Sequence, residues 1–133
     1  TANIKEFAAG SGLKFDFSAL HLMSRWVTPR TMPKRFDTYF FLAKMPEYQV
    51  PAPDNYEAVA ANWFTPSQAL SMSVRGECLL LPPTYWTLKD LTDYGSVEET
   101  IMEMARKKVE PVEPVIVKKD GKTIIQVPGR NEK

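Results

Sequence analysis

The chain of 133 residues is long enough for one domain with a buried core, and its apolar fraction of 44% and charged fraction of 25% exclude a disordered polypeptide. With 17 basic and 16 acidic residues the net charge is +1, which excludes the dense basic surface that nucleic acid or an anionic membrane requires. Cys78 is the single cysteine, so an intrachain disulfide is excluded and a reducing compartment is favoured.

The N-terminal part of the chain predicts one helix and one strand. Thr1 is expected to cap a short helix that places Ile4 and Phe7 on one face and ends near Gly12. Residues 13–20 show no clear period and are expected to be irregular, whereas residues 20–28 alternate apolar and polar side chains, which predicts a strand.

Two further strands are predicted in the middle of the chain. Residues 36–44 are rich in aromatic side chains and almost continuously apolar, which indicates a strand buried on both faces inside a sheet covered by helices. Residues 57–65 predict the next strand, after a proline-punctuated loop.

Three helices are predicted after these strands. Thr65 and Pro66 form a typical helix start, and that helix is expected to stop at Gly76. A second helix is expected to open with residues 82–84 (PPT) and to end at Gly95. A third is indicated by a capping box in which Ser96 is followed three residues later by Glu99.

The C-terminal part predicts a β-hairpin, because Asp120 and Gly121 form a two-residue turn between two β-rich runs. No internal repeat is present, so residues 1–133 are expected to form one domain. Three strands followed by three helices and this hairpin predict an α/β or α+β fold in which helices flank a sheet.

Few residues carry a signal for chemistry. His21 and Cys78 have no partner at catalytic or metal-ligand spacing, so His21 is expected to be a half-buried strand residue and Cys78 a small buried residue. Arg35 and Asp37 flank Phe36 and therefore point to the same side of a strand. They are expected to form a structural ion pair, or to present an arginine to phosphate oxygens with the aspartate holding it in position. Glu57 is either a surface charge or an acid that reaches a cleft.

Several motifs resemble the C-terminal part of Nudix hydrolases, in particular the branch of the peroxisomal coenzyme A diphosphatases. Each motif is short, and the resemblance rests on their order and spacing over most of the chain. They are residues 24–29 (SRWVTP), 35–41 (RFDTYFF), 62–66 (NWFTP), 69–70 (AL), 81–84 (LPPT), 120–121 (DG) and 128–129 (PG).

The resemblance implies a Mg-dependent or Mn-dependent hydrolase of a nucleoside-diphosphate-linked substrate such as coenzyme A or acyl-coenzyme A. In that family the metal ions are held by glutamates of a Nudix box, a glycine-and-glutamate motif on one helix. Residues 95–108 do not match it, since Ile101 stands where the first glutamate is required. The box is therefore expected upstream of residue 1, and Glu99 and Glu103 are expected to lie on a solvated helix face.

Carried onto this chain, the resemblance places Arg35 and Asp37 on a strand that borders the substrate cleft and makes Glu57 a candidate auxiliary acid. Trp63, Pro82 and Thr84 are implied to line the substrate side. No metal ligand and no certain catalytic residue is assigned.

The resulting interpretation is a cytoplasmic fragment of a diphosphatase that is inactive alone, with a nucleotide-type substrate. A homodimer, or association with a missing N-terminal half, is expected because half of a domain leaves strand edges and apolar surface uncovered. The alternative is a non-catalytic binding or assembly module that uses a partial Nudix fold.

Overall fold

The computed structural model describes residues 4–130, and over these residues the fold is α+β. Thr1, predicted as a helix cap, lies outside the described residues. The helices are α1 (Ile4–Ser11), α2 (Pro66–Val74), α3 (Pro82–Leu91) and α4 (Val97–Arg106), with a short 3₁₀ turn at Phe17–Ala19. The strands are β1 (His21–Val27), β2 (Asp37–Leu42), β3 (Pro111–Val112), β4 (Val115–Lys119) and β5 (Lys122–Gln126). None of these helices is long and apolar enough to cross a bilayer.

β1 is the centre of a three-stranded sheet in the order β2-β1-β3. It pairs antiparallel with β2 and parallel with β3. The register of the β1–β2 pair shifts between Leu22 and Ser24, so Met23 is an extra residue in β1. Because such a bulge interrupts strict alternation, the consecutive residues Met23 and Ser24 are both buried.

The core lies where α3 and α4 pack on β1. Trp26 is the largest fully buried side chain, at 2% exposure. Its Nε1 donates to Ser24 Oγ at 3.3 Å, and Ser24 Oγ lies 2.8 Å from Thr87 Oγ1 on α3. Met104 covers the core from α4. The buried hydroxyls thus satisfy one another, which limits the desolvation cost of placing polar groups under helices.

The predicted helix starts are confirmed by their caps. Thr65 Oγ1 accepts from Gln68 N at 3.2 Å and Gln68 Oε1 accepts from Thr65 N at 2.8 Å, a complete capping box with proline in the first turn of α2. Gly76, with φ of +75°, ends that helix in the left-handed conformation that glycine adopts without strain.

α4 begins at the predicted place with only half of the predicted box. Ser96 Oγ accepts from Glu99 N at 3.1 Å, but the Glu99 carboxylate accepts from Gly95 N at 2.7 Å rather than from Ser96 N. The carboxylate still lies at the positive end of the helix, where a negative charge is favourable.

The predicted hairpin is confirmed. β4 and β5 pair antiparallel, and both turn residues, Asp120 and Gly121, have positive φ as the tight two-residue turn requires.

Beyond the hairpin, Arg130 is fixed to α3 by two hydrogen bonds to the Asp90 carboxylate, at 2.5 and 2.7 Å. Its guanidinium also lies over the rings of Trp26 and Trp86, at 5.8 and 5.2 Å from their centroids.

The prediction that residues 36–44 form a strand buried on both faces is wrong. β2 is the edge strand of its sheet and is mostly exposed, with Phe41 at 55%. Aromatic content alone did not distinguish an interior strand from an edge strand, because burial depends on which elements pack on each face. The helices cover β1, and β2 extends beyond them.

The predicted strand at residues 57–65 does not form either. The Asp54 carboxylate accepts from the backbone N–H groups of Tyr56, Glu57 and Ala58, at 3.1, 3.0 and 2.9 Å, which folds the start of this segment into a local turn. These N–H groups hold the pKa of Asp54 below its ordinary value. The following residues are exposed and irregular, without a strand partner in the described part of the chain.

Candidate functional site

The predicted site residues lie in three separate places. Arg35 and Asp37 stand at the start of β2, Trp63 lies in a groove near the other end of that strand, and Pro82 and Thr84 form the first turn of α3. Six residues of extended strand span about 17 Å, so β2 separates the first two places by roughly that distance.

Asp37 pairs with Arg25 across the β1–β2 ladder. Arg25 Nε lies 2.9 Å from Asp37 Oδ1 and Nη2 lies 2.7 Å from Oδ2, a two-point contact between planar groups. The guanidinium also lies over the ring of Tyr39, 5.0 Å from its centroid. The hydrogen bond to Arg25 is the main cause that lowers the pKa of Asp37.

Arg35 has a different partner, so the predicted Arg35–Asp37 ion pair is wrong. Arg35 Nε donates to the carbonyl of Thr28 at 2.9 Å, and Nη2 donates to Glu113 Oε1 at 3.2 Å. The Nε of Arg30 also approaches Glu113, at 3.4 Å. Arg35 precedes β2, which begins at Asp37, so the two residues do not share a strand face; the Arg35 side chain points back toward the end of β1 and the segment after β3.

We call Arg25, Arg30, Arg35, Asp37 and Glu113 the arginine cluster. Three cations here face two carboxylates, which leaves one positive charge in excess, and every pair is partly exposed. Such a surface suits an anion that can exchange with a carboxylate partner. Sequence reasoning missed Arg25 and Glu113, although a β1–β2 hairpin closed by Thr28 and Phe36 would have placed Arg25 near Asp37.

The Asp37–Arg25 pair predicts a pH dependence of stability. The folded-state pKa of Asp37 is lowered, so the pair stabilises the fold above the ordinary aspartate pKa of about 4 and loses this contribution as the pH falls through the lower, folded value. We expect Asp37→Asn to lower the melting temperature at pH 7 and to lose this effect as the pH is lowered toward 2.

Thermal unfolding of wild type and variant from pH 7 to pH 2 measures this dependence, with the exposed Asp93→Asn as control. A difference between wild type and Asp37→Asn that stays constant down to pH 2 would contradict the assignment.

The second place is an apolar groove of about 770 Å³ between the end of β2, the irregular segment before α2, and helices α3 and α4. Trp63 forms part of its wall and is 73% exposed, in contrast to Trp26. We call it the Trp63 groove. Its apolar side chains come from five parts of the chain: Leu42, Trp63, Phe64, Pro66, Ala69, Leu88, Leu91 and Val97.

The polar groups of the Trp63 groove are mostly occupied within the protein. Thr92 Oγ1 donates to Lys89 O and Thr100 Oγ1 donates to Ser96 O, each at 2.7 Å. Tyr94 also lines the groove, and burial is the main cause that raises the pKa of its phenol, so the phenol is protonated at neutral pH. The groove therefore presents a neutral and largely apolar surface.

The remaining predicted residues are less informative. Glu57 is exposed, and its backbone N–H donates to Asp54. Pro82 and Thr84 are half-buried, and two of the first three residues of α3 are prolines without an N–H, so this helix start offers an anion few donors. Their roles at a substrate remain predictions. His21 is half-buried, as predicted, whereas Cys78, predicted to be buried, is half-buried.

Residues 4–130 contain no group of three or more His, Cys, Asp or Glu side chains that could hold a metal ion. The glutamates of α4 serve other contacts: Glu98 pairs with Lys44 at 2.7 Å and Glu103 lies 3.8 Å from Arg106. The described residues thus do not fit a divalent metal, and we derive no reaction step through a metal from them.

Sequence comparison identifies similar proteins. The chain is 36% identical over 86 residues to acyl-coenzyme A diphosphatase NUDT19 of Homo sapiens and 27% identical over 118 residues to the enzyme of the same name from Xenopus laevis. The predicted resemblance to a Nudix coenzyme A diphosphatase is confirmed. The two alignments cover 63% and 84% of this chain but only 23% and 31% of the relatives.

The chain thus spans between about a quarter and a third of the length of these diphosphatases. No protein-family model and no solved structure matches it.

Proposed function

We propose that this chain is a segment of a cytoplasmic Nudix-type diphosphatase that hydrolyses coenzyme A or acyl-coenzyme A. The observation that carries the proposal is the 36% identity over 86 residues to a protein named for that activity. Cleavage of the diphosphate by water gives two phosphate-bearing products. Dependence on magnesium or manganese, held by acidic residues outside this chain, is part of the proposal.

The distribution of charge supports a substrate of this kind. An acyl-coenzyme A carries phosphates at one part and an apolar chain at another. In this structure the arginine cluster and the Trp63 groove are joined by β2, at a separation of about 17 Å. Within the cluster, Arg35 is the proposed phosphate contact, because a guanidinium that already shares Glu113 with Arg30 can exchange this carboxylate for a phosphate oxygen.

The test is an assay of the complete reading frame that contains this chain, with coenzyme A and magnesium, followed by separation of the two phosphate-bearing products. We expect hydrolysis that stops when the metal is chelated, and none by the 133-residue chain alone. Arg35→Ala should raise KM by about ten- to a hundredfold, since one charge-assisted contact contributes about 1.5–3 kcal/mol. The matched control is Arg106→Ala. An intact, folded protein without turnover of coenzyme A or its thioesters would overturn the proposal.

A second candidate, a binding or assembly module, is favoured by the exposed edge of β2. This edge carries Phe41 and Tyr39 at 55% and 46% exposure, and unpaired backbone groups of an edge strand can pair with another chain. The occupant would be a second copy or the remainder of the diphosphatase. Sedimentation of the isolated chain discriminates the two candidates: a dimer that Phe41→Lys dissociates supports association through this edge, and a monomer at all concentrations excludes self-assembly.

A further inference from the structure

We infer that the Trp63 groove binds the acyl chain of a fatty acyl thioester of coenzyme A, so that this chain sets the chain-length preference of the enzyme. The inference rests on the proposed function and adds to it the part of the substrate that this segment recognises.

The first argument is the size and neutrality of the groove. Its volume of about 770 Å³ lies within the range of small-molecule sites, which bury most of an apolar ligand. None of the residues that line it in the described part of the chain is charged. A hydrocarbon chain gains free energy by leaving water for such a surface, whereas a phosphate would lose its hydration without compensation.

The second argument excludes the diphosphate as the occupant of this groove. The N-termini of α2 and α4 both open onto it, and helix N-termini often bind anions. Here three of the backbone donors at these helix starts are already used: Gln68 N by Thr65 Oγ1, Glu99 N by Ser96 Oγ, and Gly95 N by the Glu99 carboxylate. A phosphate at α4 would also meet the negative charge of Glu99.

The third argument is the position of the groove relative to positive charge. Leu42, the last residue of β2, lines the groove, and Asp37, the first, belongs to the arginine cluster. A ligand that lies along β2 therefore has cations at one end and an apolar wall at the other. Only a molecule with both chemistries uses both ends, which an acyl-coenzyme A does and free coenzyme A does not.

The experiment measures kcat/KM of the complete protein for coenzyme A, acetyl-coenzyme A and lauroyl-coenzyme A. The readout is the selectivity, defined as kcat/KM for lauroyl-coenzyme A divided by that for coenzyme A. Trp63→Ala removes one wall of the groove, and Ala69→Phe fills it, so the second variant still tests the inference if the first one misfolds. Leu79→Ala is the control, because Leu79 is an exposed apolar residue outside the groove.

We expect both groove variants to lower this selectivity at least tenfold, because a change of one small group in an apolar pocket already alters discrimination about tenfold. The control should retain the wild-type ratio. Equal losses on all three substrates would overturn the inference and indicate that the groove binds a part shared by them, such as the adenine ring on Trp63. Unchanged kinetics in both variants would also overturn it. A wild-type protein that hydrolyses none of the three would instead overturn the proposed function.

Discussion

Replacement of Trp26 by alanine is expected to lower the free energy of unfolding by about 3–5 kcal/mol, the cost of removing a large aromatic side chain from a core. Trp26 is fully buried near the C-terminal end of β1, the central strand of its sheet, beneath α3 and α4. The substitution removes its apolar contacts and leaves a cavity that the sheet cannot close, because β1 is fixed on both sides by paired strands. It also removes the donor to Ser24 Oγ.

Urea unfolding of the 133-residue chain, followed by circular dichroism, measures this effect. Trp63→Ala is a matched control: it makes the same change at a site that is 73% exposed, so we expect a loss near 0.5 kcal/mol or less. Trp26→Phe retains most of the apolar volume and gives a measurable transition if the alanine variant does not fold. Equal losses for Trp26→Ala and Trp63→Ala would contradict the central position of Trp26 in the core.

Local signals in the sequence predicted the local structure. Thr65, Ser96 and Gly121 each act through hydrogen bonds or backbone angles within four residues, and α2, α4 and the hairpin turn begin where they indicated. The predicted end of α3 at Gly95 is wrong, because this helix ends at Leu91. The errors at residues 36–44 and 57–65 have a different origin. Whether an apolar segment is an interior strand, an edge strand or an unpaired segment depends on distant partners, which one sequence does not specify.

For the candidate site too, the sequence predicted local positions but not the partners that lie far along the chain. Asp37 lies in a strand as predicted, whereas Arg35 precedes it, and Trp63 lines a groove while its role at a substrate stays a prediction. Their partners were not predictable from spacing, because Arg25 is twelve residues from Asp37 and Glu113 is seventy-eight residues from Arg35. The Trp63 groove combines five parts of the chain, so it required the tertiary structure.

The two wrong strand predictions, at residues 36–44 and 57–65, and the proposed function have a common physical basis. β2 and residues 59–64 carry strand-like side chains such as Phe41, Val59 and Trp63 that are at least half exposed in this structure. Exposure of an apolar surface of this kind to water raises the free energy, so binding of a ligand or of another polypeptide to it is favoured. The acyl chain proposed for the Trp63 groove and the partner proposed for the β2 edge are two such occupants on separate surfaces.

Replacement of Arg130 by alanine is the second large effect that we expect, a loss of about 2–3 kcal/mol in the free energy of unfolding. The Arg130–Asp90 pair is only 20% and 21% exposed and has two hydrogen bonds, so the partner left behind would be a half-buried, unpaired carboxylate. The guanidinium also contacts Trp26 and Trp86, which adds a cation–π contribution of about 0.5–1 kcal/mol.

A double-mutant cycle with Asp90→Ala separates the pair from these aromatic contacts. Because each single variant leaves an unpaired charge, the double variant should be less destabilised than the sum of the singles by about 1–3 kcal/mol. Arg106→Ala, at a side chain that is 77% exposed, should change stability by less than about 0.5 kcal/mol. Strict additivity of Arg130→Ala and Asp90→Ala would show that the two residues act independently, and that the segment after the hairpin is not fixed to α3 through this pair.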